Sequence, residues 1–212
     1  MTANKETMEK QKKNRLPILL IALAALLLAD YFYAHINVKQ FLYDTAVDSS
    51  DWGVISMMEP QEVEQEFVAE EERYDGVAFQ CTTMGDVSGV TLKISLEDEA
   101  GKEIASAELP GAEIKSGKFN KVDLSTKVPV KGAKLRLSMQ ADGVSGENYL
   151  VLQTAGKPEE SSLTFGGQSL KDQRLVARML TYRFHLETFI VAAAFVLFIA
   201  VFMKFLFKLF AR

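Results

Sequence analysis

Polar and apolar positions alternate with a period of two through the middle of the chain, and unbroken apolar runs replace that alternation near both ends. "GVTLKISLEDE" places Val90, Leu92, Ile94 and Leu96 on one face, and Thr91, Lys93 and Ser95 on the other. "YDGVAFQCTTM" does the same with Val77, Phe79, Cys81 and Thr83, and "AKLRLSMQ" with Leu135, Leu137 and Met139. "EQEFVAEEE" predicts an earlier strand. "GKFNKVDL" predicts a later one, with Phe119 and Leu124 on its apolar side and Val122 less cleanly in phase. In "NYLVLQT", Tyr149, Val151 and Gln153 oppose Leu150 and Leu152. "DEAGKE", with Gly101 available for a positive φ, joins two of these runs as a hairpin that returns through "EIASAELP". Short strands with one buried and one polar face, separated by frequent turns, predict an antiparallel β-sandwich over residues 61–155.

The flanks follow other periods. "NVKQFLYDTAVD" sets Val38, Phe41, Leu42 and Thr45 at helical spacing, which predicts a juxtamembrane helix and linker over 36–60. "AGKPEESSLTFGGQS" predicts a linker. "LKDQRLVARMLTYRFHLE", with Ser169 as its cap and Leu175, Met179 and Tyr182 at helical spacing, predicts a second juxtamembrane helix, so that linker and helix fill 156–187. Residues 16–35 and 188–210 are apolar enough to predict two transmembrane helices. A cleaved signal peptide is the alternative for the first. The absence of a small-x-small pair after the apolar run and the Tyr31, Phe32, Tyr33 belt favour a retained anchor. A helix lying on the membrane surface is the alternative for the second. Its apolar residues surround the helix and do not form one stripe, which favours a span.

Charge adds an orientation. The tail 1–15 carries a net +3, the last nine residues another +3, and the stretch from Ile36 to Glu187 a net −9. Basic ends flanking two spans place both termini in the cytoplasm and the central domain outside. An acidic outer domain argues against a nucleic-acid partner. The lone cysteine, Cys81, excludes an internal disulfide and, at its inward strand position, reads as a small buried hydrophobe.

The chemistry-bearing residues are few. His35 and His185 flank the two spans, and with Asp30 they are the one grouping that invites a metal or a reaction; as interfacial residues they need neither. No Ser-His-Asp order, metal-spaced cluster or phosphate loop is present, so no enzyme, cofactor or metal is expected. The acidic run Glu62, Glu64, Glu66, Glu70, Glu71 and Glu72 reads as a solvated or edge-protecting face, with a cation or basic-partner site as its alternative. Trp52, Tyr74 and Tyr149 are the candidate ligand-stacking aromatics, and Phe119 and Phe165 are weighed beside them. Ala22 and Ala25, with Ala192 and Ala193, are candidates for close helix contact.

The order "FVAEEERYDGVAFQCTT", "VSGVTLKISLEDEAGKEIASAEL", "GKFNKVDL" and "GAKLRLSMQADGVSGENYLVLQT" resembles jelly-roll modules of the galactose-binding-like type, which recur in two-span membrane surface proteins of Gram-positive bacteria. The resemblance covers 61–155 and implies a setting beside the assembly of cell-envelope polysaccharide. The expected function is therefore a non-catalytic membrane protein whose outer module binds a membrane-proximal glycan or a polytopic membrane protein. The alternative is an accessory or sensory subunit of a transporter or channel.

Overall fold

The computed structural model describes residues 21, 24–58, 61–156 and 162–210. The tail 1–15, most of 16–23 including Ala22, and part of the 156–187 linker lie outside the described residues. The chain divides into two compact units, Asn37–Tyr182 and the pairing of Met1–Ile36 with Arg183–Arg212.

In chain order the strands are β1 (His35–Phe41), β2 (Gly53–Met57), β3 (Glu62–Val68), β4 (Gly76–Met84), β5 (Thr91–Asp98), β6 (Glu103–Pro110), β7 (Lys118–Asp123), β8 (Lys134–Asp142), β9 (Tyr149–Gly156), β10 (Leu163–Phe165), β11 (Gln168–Leu170), β12 (Gln173–Leu175) and β13 (Ala177–Phe184). The helices are α1 (Ala24–Tyr33) and α2 (Leu186–Phe210). The strands form two antiparallel sheets in a sandwich-like arrangement. One sheet has seven strands, along the path β1-β13-β4-β9-β12 with β2 on β9 and β7 on β4. The other has six, in the order β11-β10-β3-β8-β5-β6.

The period-two segments behave as their pattern requires. Val90, Leu92, Ile94 and Leu96, then Leu135, Leu137 and Met139, and from the other sheet Val77, Phe79, Cys81, Leu150 and Leu152 are all buried in one core. β5 turns back into β6 through Gly101, whose φ of 77° suits glycine. A one-residue shift between Leu96 and Glu97 marks a bulge there.

Three expectations are corrected. The juxtamembrane helix over 37–48 is strand β1 followed by turns, with Leu42 N donating to Ala177 O at 2.9 Å. The helix through "LKDQRLVARMLTYRFHLE" is the strands β11, β12 and β13. In both, the apolar residues also fit a strand once the buried polar ones are counted with them. Gln40 and Leu42 point inward in the first, and Ala177, Met179 and Thr181 in the second. Thirdly, the sandwich is therefore not confined to 61–155 but occupies Asn37–Tyr182.

The inward polar groups are hydrogen-bonded, as burial demands. Gln65, on β3, accepts from Leu175 N on β12 at 3.1 Å and so ties the two sheets together. Gln40 Nε2 donates to Val68 O at 2.7 Å, and Gln40 Oε1 accepts from Glu70 N and from the Tyr74 hydroxyl.

In the other unit, α2 is long and apolar enough to cross a bilayer by length and composition. Thr188, Phe189, Ala192, Ala193 and Val196 are half-covered and recur at helical spacing, whereas Val191, Phe195 and Phe198 are open. Ala192 and Ala193 thus lie on the covered face, and Ala25 of α1 is exposed. At the helix ends His185 N donates to Ala34 O at 2.8 Å. Tyr31, His35, Phe184 and Phe189 stack in sequence, with ring centroids 4.4 Å apart for Tyr31 and His35 and 5.5 Å for Phe184 and Phe189.

Candidate functional site

The outward side chains of the seven-stranded sheet gather aromatic and cationic groups. The bond from Leu42 N to Ala177 O sets Phe41 directly opposite Arg178 across β1 and β13. On β4, Ala78 pairs with Arg178 on one side and with Lys121 of β7 on the other, so all three share the outer face. The Arg178 guanidinium lies over the Phe119 ring, 4.3 Å from its centroid. Lys121 Nζ lies over Tyr182 at 4.8 Å and pairs with Asp123 at 3.3 Å.

A run of edge-to-face rings continues from this row. Phe41 meets Tyr43 at 5.8 Å, and Tyr43 meets Trp52 at 5.9 Å, with interplanar angles of 82° and 81°. Trp52 reaches Tyr43 because a short turn opens there. Asp48 caps it, accepting from Ser50 N at 2.8 Å, and β2 begins immediately after Trp52. Phe41 is 42% exposed, and Tyr43 and Trp52 are half-buried. The Tyr43 hydroxyl is pushed above its ordinary pKa by burial, against the opposing charge of Arg178. Arg178 Nε and Trp52 Nε1 are both covered and have no hydrogen-bond partner. Among the described residues no carboxylate pairs with Arg178.

Next to Phe119 lies a hollow of about 600 Å³ bordered by Leu109, Glu113, Ile114, Lys115, Phe119 and Lys121. Asn120 braces its rim. Its side chain accepts from Lys115 N at 2.7 Å and donates to the carbonyls of Lys115 and Lys118 at 3.1 and 3.0 Å.

The three candidate aromatics are not brought together. Trp52 stands in the outer run. Tyr149 is on the same outer face, but at the far end of β9, about 20 Å from the Trp52 end at roughly 3.3 Å per residue. Tyr74 is fully buried, packs edge-to-face on Phe67 and bonds Gln40, so it is a core residue with no ring face to offer a ligand. Burial pushes its hydroxyl up to about 12. Phe119, expected inside, is outside beneath Arg178, because Asn120 and Val122 take the inward positions of β7. Phe41, Tyr43 and Arg178 are the members that sequence reasoning missed, all within segments expected to be helical.

The acidic run resolves differently. On the outer face of the six-stranded sheet Glu66 pairs with Lys134 at 2.8 Å, and Arg136 reaches Glu64, Glu66 and Glu97 at 3.5, 3.5 and 3.7 Å. Lys93 pairs with Asp142 at 2.6 Å, and Ser138 donates to Glu62. Of these groups Glu62, Lys93 and Ser138 border a shallow polar hollow of about 420 Å³, together with Glu103 and Glu108.

Among the described residues no group of three or more His, Cys, Asp or Glu side chains is placed to hold a metal. His35 Nδ1 meets Tyr31 O at 2.8 Å, and His185 Nε2 accepts from Arg183 at 2.9 Å. Asp30 is buried with both carboxylate oxygens unpartnered. Cys81 is fully buried, and burial raises its thiol to about 12, far from a reactive thiolate.

No family model matches the chain, and no curated protein matches it. Among solved structures it is similar to the VP2 subviral particle of infectious bursal disease virus, at 11% identity over 71% of this chain and 37% of that one, with a TM-score of 0.28. It is also similar to the structure of the Gx strain of that virus, at 10% identity over 70% and 36%, with a TM-score of 0.27. The chain spans about a third of the length of these proteins. Overlap at such scores adds nothing to the strand order already described.

Proposed function

We propose that this chain is a non-catalytic, two-span membrane protein whose central sandwich, of galactose-binding-like jelly-roll character, binds a membrane-proximal glycan or a polytopic partner in cell-envelope polysaccharide assembly. The observation that carries this is the run Phe41–Tyr43–Trp52 on an open sheet face. Aromatic rings held by their neighbours offer flat apolar area at low entropic cost, which suits the apolar faces of sugar rings and favours the glycan over the protein partner. The apolar surface of α2 is open almost all round, an arrangement whose natural solvent is lipid. With basic tails inside, the sandwich faces outward and is tethered at both ends, so its ligand lies near the bilayer.

The test is binding of envelope polysaccharide to the full chain in phosphatidylcholine nanodiscs, compared with the Trp52→Ala variant. Saturable binding to the wild type that the variant lacks supports the glycan reading. Equal binding by both removes the aromatic run from it. Protease added to intact cells checks the orientation: cleavage within 61–155 is expected, and a protected middle overturns the outward sandwich.

The second reading, an accessory or sensory subunit of a transporter or channel, is favoured by Asp30. A buried carboxylate with no partner on an apolar helix is costly and is more at home where a span takes part in function. Co-purification of a polytopic protein that is lost in Asp30→Asn supports this reading, and retention in the variant counts against it.

A further inference from the structure

Building on the aromatic face as a saccharide platform, we infer that its ligand is anionic: a saccharide carrying a carboxylate or phosphate, which the Arg178 guanidinium takes up. The central stretch from Ile36 to Glu187 holds 25 acidic and 16 basic residues, so carboxylate partners are plentiful. On the opposite face Lys93, Lys134 and Arg136 have all found them. Arg178, half-buried among aromatic rings, has not, among the described residues. A partly desolvated cation with no counter-charge is expensive, and an incoming anion removes that cost.

The geometry is prepared for it. Contact with Phe119, 4.3 Å from Cζ to the ring centroid, holds the guanidinium in place, and its planar fork matches a carboxylate or phosphate with two parallel hydrogen bonds. Arg178 Nε is covered and has no acceptor. Lys121, paired with Asp123, stands in the same outer row beyond Ala78, and Lys115 lies with Glu113 at the hollow beside Phe119. The Phe41–Tyr43–Trp52 run lies on the other side of Arg178, where the sugar rings of the same molecule would stack.

The experiment is calorimetry on the full chain in phosphatidylcholine nanodiscs. It uses three probes: a galacturonic-acid hexasaccharide, the same hexasaccharide with its carboxylates methyl-esterified, and inorganic phosphate. The acid form is expected to bind at least about tenfold more tightly than the ester, a gap of the size that one charge-assisted contact supplies. Arg178→Gln abolishes the gap, and Arg178→Lys restores part of it. Because the acid and the ester are compared on the wild-type chain, the result stands even if a variant folds poorly. Equal binding of acid and ester, both lost in Trp52→Ala, overturns the anionic ligand and leaves the platform standing. Binding of neither overturns both. Displacement of the acid by equimolar inorganic phosphate reduces the site to one for any small anion and overturns the saccharide.

Discussion

The two outer faces of the sandwich differ in how their charges are settled. On the six-stranded sheet Arg136 serves three carboxylates, Lys134 a shared one and Lys93 its own, so the cations of that face are closed to a ligand. On the seven-stranded sheet Arg178 lies on Phe119 with no carboxylate partner among the described residues, beside a run of three rings. The lesson is that charge density does not identify a binding face. The acidic run is the strongest charge feature of the sequence, yet its members on β3 are bound up within their own sheet, and exposed pairs of that kind contribute little. A single cation left open among aromatics says more about a ligand than several carboxylates in balance.

The largest expected effect separates a buried aromatic from the surface ones. Tyr74→Ala removes a fully buried ring and should cost about 3–5 kcal/mol of stability. Tyr74→Phe should cost about 1–2 kcal/mol, because Gln40 Oε1 and Glu70 N each lose a partner. Thermal melting of the full chain measures both. Unchanged melting with lost ligand binding would return Tyr74 to the binding face and undo the contrast. Trp52→Ala should act the other way round. It should weaken saccharide binding by about tenfold or more, with a smaller stability loss than Tyr74→Ala because the ring is only half-buried. Next in size is Arg136→Ala, which leaves Glu64, Glu66 and Glu97 facing one another and should cost about 1 kcal/mol without altering saccharide affinity. A change in affinity with that variant would mean the closed face also takes part.

The sandwich was legible where the alternation was chemically clean. Val90 to Leu96 and Leu135 to Met139 are apolar at every inward position, and their strands and core placement follow directly. It was not legible where inward positions carry polar groups. Gln40 and Thr181 break the alternation, and each is held by a partner remote in the chain, Val68 O and Arg73 O respectively. With those positions read as solvent-facing, Val38, Phe41 and Leu42, like Leu175, Met179 and Tyr182, fall at helical spacing. The same misreading concealed the site. Trp52 could be picked out because it is an aromatic in a turn, but Phe41, Tyr43 and Arg178 become neighbours only through the pairing of β1 with β13, which no local pattern announces.

The smallest expected effect is a pH dependence confined to the closed face. The Lys134 ammonium, hydrogen-bonded to Glu66, is the main influence holding that carboxyl below the usual range, and partial burial opposes it. A carboxyl whose folded pKa lies below its unfolded one contributes stability in full above the unfolded value of about 4.5 and loses it as pH falls through the folded value. Lys134 is raised by the same contact, so its contribution is complete below the unfolded lysine value and lost only as alkaline pH passes the folded one. The melting temperature should therefore be flat through neutrality and decline in acid. Asp48 and Asp86, lowered by their bonds to Ser50 and Ser88, add to that acid slope, so Glu66→Gln should flatten it only in part. Tyr43, raised by burial, stays neutral throughout this range. Mild acid that still leaves the ligand's acid group ionised should thus loosen the six-stranded face and leave saccharide affinity unchanged. A fall in affinity that tracks the Glu66 titration, and that Glu66→Gln removes, would show that the two faces are coupled through the core.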